Sequence, residues 1–134
     1  MFMEDLYIKQ TKFTPEIKFD RGKKIFFITG VSLPEDTYKF FEPVMEWVDS
    51  YHERIDSMVK KEDHQKFTVV FSLTYFNSGS LRAIIELLKR FKKLQNKLDL
   101  NIFWYYDKED EQMLESGQEI GEAAGIQLDL VKLK

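Results

Sequence analysis

Apolar and polar residues alternate through much of the first thirty residues, which is the pattern of β-strands. LYIK has the character of a short strand, and EIKF places its isoleucine and phenylalanine on one face. DRGK follows, and its Gly22 suits the positive φ of a tight hairpin turn. KIFFITG then returns as a strand that ends at Gly30. Its apolar run, Ile25–Ile28, indicates burial on both faces.

Helical periodicity begins after this hairpin. Ser32 and Glu35 have the spacing of a capping box, and Pro34 lies in the predicted first turn, where its missing N–H is harmless. The predicted buried stripe consists of Phe41, Val44, Val48, Tyr51 and Ile55. Pro43 should bend this helix, because proline removes one hydrogen bond of the helix backbone.

The second half of the chain alternates strands and helices. FTVVFSLTYF (Phe67–Phe76) is nearly all apolar, as a central strand covered on both faces would be. A second helix is marked by Leu81, Ile84, Ile85, Leu88 and Phe91. LNIFWYY (Leu100–Tyr106) is another strand, and a third, more polar helix follows and ends near Gly125. QLDLVKL alternates and closes the chain as an edge strand.

The predicted order is therefore β-β-β-α-β-α-β-α-β. Strand–helix–strand units cross over right-handedly and place their strands parallel, whereas the N-terminal hairpin is antiparallel. We predict one α/β domain over residues 1–134, in which helices pack on a mixed β-sheet.

Composition excludes several classes of function. The net charge is −3 and the basic residues form no block, which argues against wholesale nucleic-acid binding. Without cysteine the chain has no disulfide, no thiolate metal site and no thiol nucleophile. No apolar run approaches the ~20 residues that span a bilayer, and MFMEDLYIKQ is unlike a signal peptide. We expect a soluble cytoplasmic protein with no membrane insertion.

The candidate chemistry lies in NSGS, at the carboxyl end of the predicted central strand, where functional loops of open α/β sheets collect. Gly79 permits a sharp turn, and N–H groups at the start of a helix can face an anion. The simpler interpretation is that Ser78 or Ser80 is only a helix N-cap. A phosphate loop of the GxxxxGK[ST] type is unsupported, because the loop has no lysine and Arg82 is the nearest cation.

The remaining polar residues suggest no catalytic centre. The acidic segment Asp107–Glu111 does not have the spacing of a calcium loop, and we expect Asp107 to cap the third helix. His52 and His64 lie in polar surroundings, without the ligand set of a zinc site. No catalytic triad, paired carboxylates or cofactor fingerprint is visible, so we predict no enzyme activity, no metal site and no cofactor.

Four segments, in order and over nearly the whole chain, resemble one family. LYIKQTKFTPEIKFD is similar to its opening, L-x-I-x-x-T-x-x-T-P-E-I-x-F. The family's G-x-S-x-P-E helix entry, with an internal E/Q-P-V, resembles ITGVSLPEDTYKFFEPVMEWVDSY. Its strand–N-[ST]-[SG]-S–helix segment resembles FSLTYFNSGSLRAIIELL. WYYDKEDEQMLESGQE is similar to its W-Y-Y, acidic, M-L-E-x-G run. The family is that of the SiaC-like biofilm-regulation phosphoproteins.

This resemblance implies a regulator that is not an enzyme, with a fold like the STAS domains of anti-sigma-factor antagonists. A dedicated kinase phosphorylates the hydroxyl that follows the asparagine, and a metal-dependent Ser/Thr phosphatase removes the phosphate. The unmodified form binds and activates a diguanylate cyclase, which raises cyclic-di-GMP. The acceptor position is Ser78 here, where threonine is usual, and Gly79 stands where serine is common.

On the same resemblance, we expect Ser78 to be exposed at the start of the second helix. The surface expected to contact the partner consists of Asn77, Gly79, Ser80 and Arg82. Two alternatives stand beside this interpretation: a small anion- or nucleotide-binding domain that uses the NSGS loop, and a protein-interaction domain without a switch.

Overall fold

Six strands form one sheet, in which spatial order follows chain order. The computed structural model describes residues 5–58 and 65–133, with the side chains of residues 56–58 excepted. The strands are β1 (Tyr7–Ile8), β2 (Glu16–Asp20), β3 (Ile25–Ser32), β4 (Gln65–Phe76), β5 (Leu98–Asp107) and β6 (Asp129–Leu133). The helices are α1 (Thr37–Met58), α2 (Ser78–Lys92) and α3 (Glu111–Ala124), and a 3-10 turn, Lys93–Asn96, follows α2. The predicted order of elements is confirmed.

The sheet is mixed, as predicted. β1, β2 and β3 pair antiparallel, and β3, β4, β5 and β6 pair parallel. β4 lies between β3 and β5, so the prediction of a central strand with neighbours on both sides is confirmed. β6 lies at one edge of the sheet, as expected.

Cross-strand rows of apolar side chains form the core. One row runs through Ile17, Ile28, Phe71 and Trp104, and the next through Phe19, Phe26, Val69 and Ile102. All eight side chains are buried beneath the helices. The stripe predicted for α1 is confirmed, since each of its five members is buried. From α2 the buried apolar side chains are Ile84, Leu87, Leu88 and Phe91.

The expectation that β3 and β4 are covered on both faces is wrong. Along β4, buried Phe67, Val69 and Phe71 alternate with half-buried Thr68 and Val70. Because β3 to β6 follow one another in both sequence and space, each right-handed crossover puts its helix on the same face. α1 therefore packs beside α2 and α2 beside α3, and no described helix covers the opposite face.

Two turns at the start of the chain differ from the predictions. The β2–β3 hairpin forms, but Lys24 has the positive φ, 54°, and Gly22 does not. β3 continues past Gly30 to Ser32. Gly30 has a φ of 111°, and the pairing of β3 with β4 shifts between Gly30 and Val31, so that glycine allows the strand to continue through an irregularity.

The helix starts also differ in detail. α1 is capped by Asp36, whose Oδ1 accepts from the Lys39 N–H at 3.0 Å, so the predicted capping box at Ser32 is wrong. Asp110, not Asp107, caps α3 and accepts from the Met113 N–H at 3.0 Å.

α1 continues through Pro43 as one helix, and the predicted bend there stays a prediction. Gly125, with a φ of 67°, ends α3 as predicted. Within the described residues, none of the helices has the length and apolar character needed to cross a membrane.

Candidate functional site

The register shift in the sheet positions the candidate loop. Gly30 pairs with Leu73, but Val31 pairs with Tyr75, so β4 has one extra residue, Thr74. An extra residue reverses the side-chain alternation that follows it. Phe76 consequently packs against the Trp104 ring with a centroid distance of 6.0 Å, and Tyr75 is 56% exposed.

Asn77 is the N-cap of α2, so the prediction that Ser78 or Ser80 takes that role is wrong. Its backbone is extended, with φ −91° and ψ 175°. Its Oδ1 accepts from the Ser80 N–H at 2.8 Å, and its carbonyl accepts from the Leu81 N–H at 3.0 Å. The asparagine side chain therefore satisfies one of the free donors at the helix start. Asn77 is half-buried.

Ser80 is fully buried and belongs to a contact with β3. Its hydroxyl donates to the Ser32 carbonyl at 3.0 Å and lies 2.7 Å from the Ser32 hydroxyl. Since Ser80 has a single proton, the Ser32 hydroxyl donates to Ser80 in this pair. The Asn77 N–H also donates to the Ser32 carbonyl, at 3.2 Å. Ser80 thus has no surface to offer a partner, and its expected role in partner binding does not fit its burial.

Ser78 is the first residue of α2 and is exposed, as predicted. In the part of the chain that the structure describes, no hydrogen bond uses the N–H of Ser78 or of Gly79. The first turn of α2 contains no acidic side chain. Arg82 lies four residues further on, on the same helix face, and is exposed. The charges and free donors around Ser78 therefore favour an anionic group on its hydroxyl.

Gly79 brings the start of α2 against the start of α1. A Cβ on Gly79 would lie 2.6 Å from Oγ1 of Thr37, so any side chain there would require Thr37 to move. Sequence analysis missed Thr37, because nothing in the spacing of these two residues along the chain indicates that they touch. A serine at this position, which the resemblance noted above implies for the family, would not fit here without movement of Thr37.

A groove of about 580 Å³ begins beside this contact and follows the seam between α1 and α2. We call it the seam groove. Its lining residues are Thr37, Tyr38, Phe41, Glu42, Met45 and Glu46 of α1, and Gly79, Arg82, Ala83, Glu86 and Arg90 of α2. Tyr38, at the Ser78 end, is 78% exposed. Sequence analysis missed this groove, since it depends on how two separate helices pack.

The other candidate residues do not form a site. Asp107 accepts from the Glu109 N–H at 2.9 Å and closes the turn before α3. Among residues 5–58 and 65–133, no three metal-ligating side chains come together. His52 is half-buried on α1, and His64 lies outside the described residues. Trp104 belongs to the core and donates from Nε1 to the Met113 carbonyl at 3.0 Å.

Comparison with known proteins identifies similar chains. The family model described as SiaC family regulatory phosphoprotein matches residues 8–133. An uncharacterised protein of Pseudomonas aeruginosa strain UCBPP-PA14 is 26% identical over 121 residues, which are 90% of each chain.

Solved structures share the fold. Apo-SiaC from Pseudomonas aeruginosa superposes with a TM-score of 0.78 at 23% identity, over 98% of this chain and 100% of that one. SiaC described as the activator of the diguanylate cyclase SiaD, in complex with that cyclase, gives a TM-score of 0.79 at 24% identity. This second match covers 96% of the present chain and 100% of the other.

Proposed function

The chain belongs to the SiaC family of regulatory phosphoproteins, and we propose that it is a non-enzymatic binding protein switched by reversible phosphorylation of Ser78. The observation that carries this assignment is the contrast within NSGS. Ser78 is exposed at the start of α2, whereas Ser80 is fully buried in a contact with Ser32. A kinase active site therefore has access to one of the two hydroxyls.

The physical chemistry of the helix start supports a phosphate at Ser78. A phosphate adds ~1.5 to 2 negative charges and three acceptor oxygens. The N–H groups of Ser78 and Gly79 and the positive end of the helix dipole would stabilise it, and Arg82 lies within one helical turn. Phosphorylation would then leave the fold intact and change only the surface.

The proposed output is activation of a diguanylate cyclase by the unphosphorylated chain. Support comes from the SiaC of Pseudomonas aeruginosa, whose structure with the diguanylate cyclase SiaD shares this fold over the full length of that SiaC chain. A dedicated kinase would add the phosphate and a metal-dependent Ser/Thr phosphatase would remove it. The kinase and the cyclase use cytoplasmic nucleotides, and the phosphatase acts on the phosphorylated product of the kinase. We therefore place the switch in the cytoplasm.

The absence of a base next to Ser78 supports the role of acceptor over that of nucleophile. In the described part of the chain, the Ser78 hydroxyl makes no hydrogen bond to a side chain that could act as a general base, whereas a catalytic serine is activated by such a group. The surroundings of Ser78 therefore support a regulatory acceptor over a serine nucleophile.

Intact-mass measurement tests the acceptor. The chain is incubated with ATP and a cell extract of the organism that encodes it, and the modified residue is mapped by fragmentation. We expect one phosphate on the unmodified chain and none on Ser78→Ala. Ser50→Ala is the control, because Ser50 is an exposed serine within α1. A phosphate that persists in Ser78→Ala would contradict the assignment.

Binding and turnover measurements test the output. The diguanylate cyclases of the same organism, and SiaD of Pseudomonas aeruginosa beside them, are purified and titrated with the unphosphorylated and phosphorylated chain. We expect at least one of the host cyclases to bind the unphosphorylated form and to make more cyclic-di-GMP. If no host cyclase binds either form or changes its rate of cyclic-di-GMP synthesis, the proposed output is wrong.

A further inference from the structure

The face of the sheet that points away from the helices carries an ordered row of side chains. We call it the open face. Lys18 of β2, Phe27 of β3, Val70 of β4, Phe103 of β5 and Asp129 of β6 lie side by side in the pairing register. The residues before and after each of them in the strand are buried or pack against the core, so these five side chains point to the open face. The row therefore has an apolar centre, a cation at one flank and a carboxylate at the other.

The apolar centre of the open face is wider than this row. Its half-buried members are Ile25, Phe27, Val70, Phe103, Tyr105 and Val131, and none of them belongs to the core of the described residues or packs against it. The five strands are ~4.8 Å apart and three rows cover ~20 Å along them, which gives roughly 500 Å². Single apolar side chains are ordinary at a surface, whereas a contiguous patch of this size marks an interaction site.

The two flanking charges have no partner within the chain. Among residues 5–58 and 65–133, neither Lys18 nor Asp129 forms an ion pair, and both are exposed. They lie on β2 and β6, four strand spacings or roughly 19 Å apart, which is too far for them to pair with each other. A surface that satisfies both charges must present a carboxylate opposite Lys18 and a cation opposite Asp129.

A second copy of the open face meets this requirement, and we infer that the chain forms a symmetric dimer through it. Rotation by a half-turn about an axis that runs along β4, between the two sheets, places Val70 on its own counterpart. The same rotation places Phe27 on Phe103 of the partner subunit and Lys18 on Asp129 of the partner subunit. In such an isologous interface each of these two contacts occurs twice. Sheets pack face to face ~10 Å apart, and a lysine and an aspartate side chain together bridge that separation.

The charges also select one orientation of the two sheets. If the axis ran across the strands, each strand would lie on its own counterpart, and like charges would meet at Lys18 and again at Asp129. With the axis along β4, the helix layer of each copy points outward, and Ser78 stays exposed at the start of α2. The dimer therefore goes beyond the proposed function and depends neither on phosphorylation nor on a cyclase.

The area of the open face predicts a weak dimer. Two copies would bury about 1,000 Å² in total, which is below the usual size of stable interfaces and typical of transient association. We expect a dissociation constant of roughly 10 μM to 1 mM. The dilute chain is then a monomer, and the dimer forms where the chain is concentrated.

Charge reversal tests the dimer. Sedimentation equilibrium of the full chain over this range of concentrations measures the association. Lys18→Glu and Asp129→Lys should each weaken it at least about tenfold, because each variant places like charges opposite one another. The controls are Lys89→Glu and Glu119→Lys, which make the same charge changes at exposed helical positions and should stay within about twofold. Melting temperatures show that each variant is folded.

Restored pairs make the test specific to this interface. Lys18→Glu/Asp129→Lys should regain most of the affinity, since opposite charges again face each other across the axis. A mixture of the two single variants should form a mixed dimer for the same reason, although neither variant associates well alone. If neither the double variant nor the mixture regains affinity, the pairing of Lys18 with Asp129 is contradicted.

NMR of the labelled chain locates the interface. On concentration we expect shifts at Val70, Phe103 and Val131, on the open face. Shifts confined to the helices would overturn the inference, because the copies would then associate through another surface. A chain that remains a monomer at the highest concentration would also overturn it and would leave the open face to a different protein. Neither result bears on the proposed function, which is tested at Ser78.

Discussion

Two serines that lie two positions apart have opposite surroundings. Residues two apart on a helix point to different sides, so Ser78 faces solvent when Ser80 faces β3. The Asn77 side chain holds this arrangement through its bond to the Ser80 N–H. Burial, and not residue type, therefore separates the proposed acceptor from the structural hydroxyl.

A negative charge at Ser78 should weaken binding to the cyclase and leave the fold intact. Ser78→Ala should bind the cyclase within about twofold of the unmodified chain, because it adds no charge and Asn77 remains the cap. Ser78→Asp should weaken binding about a hundredfold or more, since an unpaired buried charge costs several kcal/mol. Calorimetric titration measures both affinities, and Ser50→Asp is the charge control. Equal affinities for all of these proteins would exclude an electrostatic switch at Ser78.

The Ser32–Ser80 pair should contribute to stability. Ser80→Ala leaves the Ser32 hydroxyl without its acceptor and should lower the free energy of unfolding by about 1–3 kcal/mol. Ser32→Ala should cost less, because Ser80 still donates to the Ser32 carbonyl. Urea denaturation measures both, with Ser78→Ala as the exposed neighbour that should change stability little. The prediction is wrong if Ser32→Ala is the more destabilising of the two.

Tyr51 should make the protein sensitive to alkaline pH. Burial raises the pKa of Tyr51 from 10.0 to about 12, because the charged phenolate is disfavoured in the core. The unfolded chain therefore loses its proton first. The contribution of the neutral Tyr51 side chain to the free energy of unfolding is therefore fully present below pH 10. It is lost as the pH rises through about 12. One unit above the unfolded pKa the loss is ~1.4 kcal/mol.

Tyr51→Phe isolates this contribution. The difference in free energy of unfolding between Tyr51→Phe and the unmodified chain should shift in favour of the variant as the pH rises above 10. Denaturant titrations at several alkaline pH values measure it. If the free energy of unfolding falls equally with pH in both proteins, Tyr51 does not titrate as described.

At the scale of elements, the start of α2 is seated against the start of α1. Gly79 allows this approach because it has no Cβ to meet Thr37. The same contact opens the Ser78 end of the seam groove. Helix packing thus brings the start of α2, which carries the candidate acceptor, next to the seam groove.

Gly79→Ala should destabilise the protein although alanine is the better helix former. Propensity alone predicts a gain of up to ~1 kcal/mol, whereas overpacking against Thr37 typically costs ~1–3 kcal/mol. The net effect should be a loss, and Thr37→Ala/Gly79→Ala should regain most of it relative to Thr37→Ala. Chemical denaturation of the unmodified chain, the two single variants and the double variant gives the coupling free energy between the two positions. Gly79→Ala more stable than the unmodified chain would mean that the contact does not constrain α2.

At the scale of the whole molecule, the sheet has one helix-covered face. Val69 and Val70 are adjacent in β4, but Val69 is fully buried under the helices and Val70 is half-buried on the other face. Neighbouring positions in the same strand therefore provide a direct test of the architecture.

The same substitution at these two positions should have different effects. Val69→Thr buries a hydroxyl and should lower the free energy of unfolding by ~1–3 kcal/mol, because the apolar core offers the hydroxyl no hydrogen-bond partner. Val70→Thr should cost clearly less, because Val70 is only half-buried and water can reach a hydroxyl there. Urea denaturation measures the difference. Equal losses would indicate that the second face is covered as closely as the first.

Sequence patterns predicted the elements better than their connections. The α1 stripe and the central place of β4 were confirmed, since each depends on periodicity within a single segment. The caps were misassigned at Ser32 and Asp107, because several capping residues lie close together and only the backbone geometry selects one. The exposed position of Ser78 was predicted, but the burial of Ser80 was not.

The sequence by itself determined the order of strands and helices and the small, lysine-free loop after the central strand. Local propensity and hydrophobic period encode these features within short stretches. Only the tertiary structure decided which face of the sheet the helices cover, that Ser32 meets Ser80 across 48 positions, and that Thr37 lies against Gly79. These contacts depend on the handedness of the crossovers and on the register shift at Gly30, and neither leaves a periodic signal in the residues that meet.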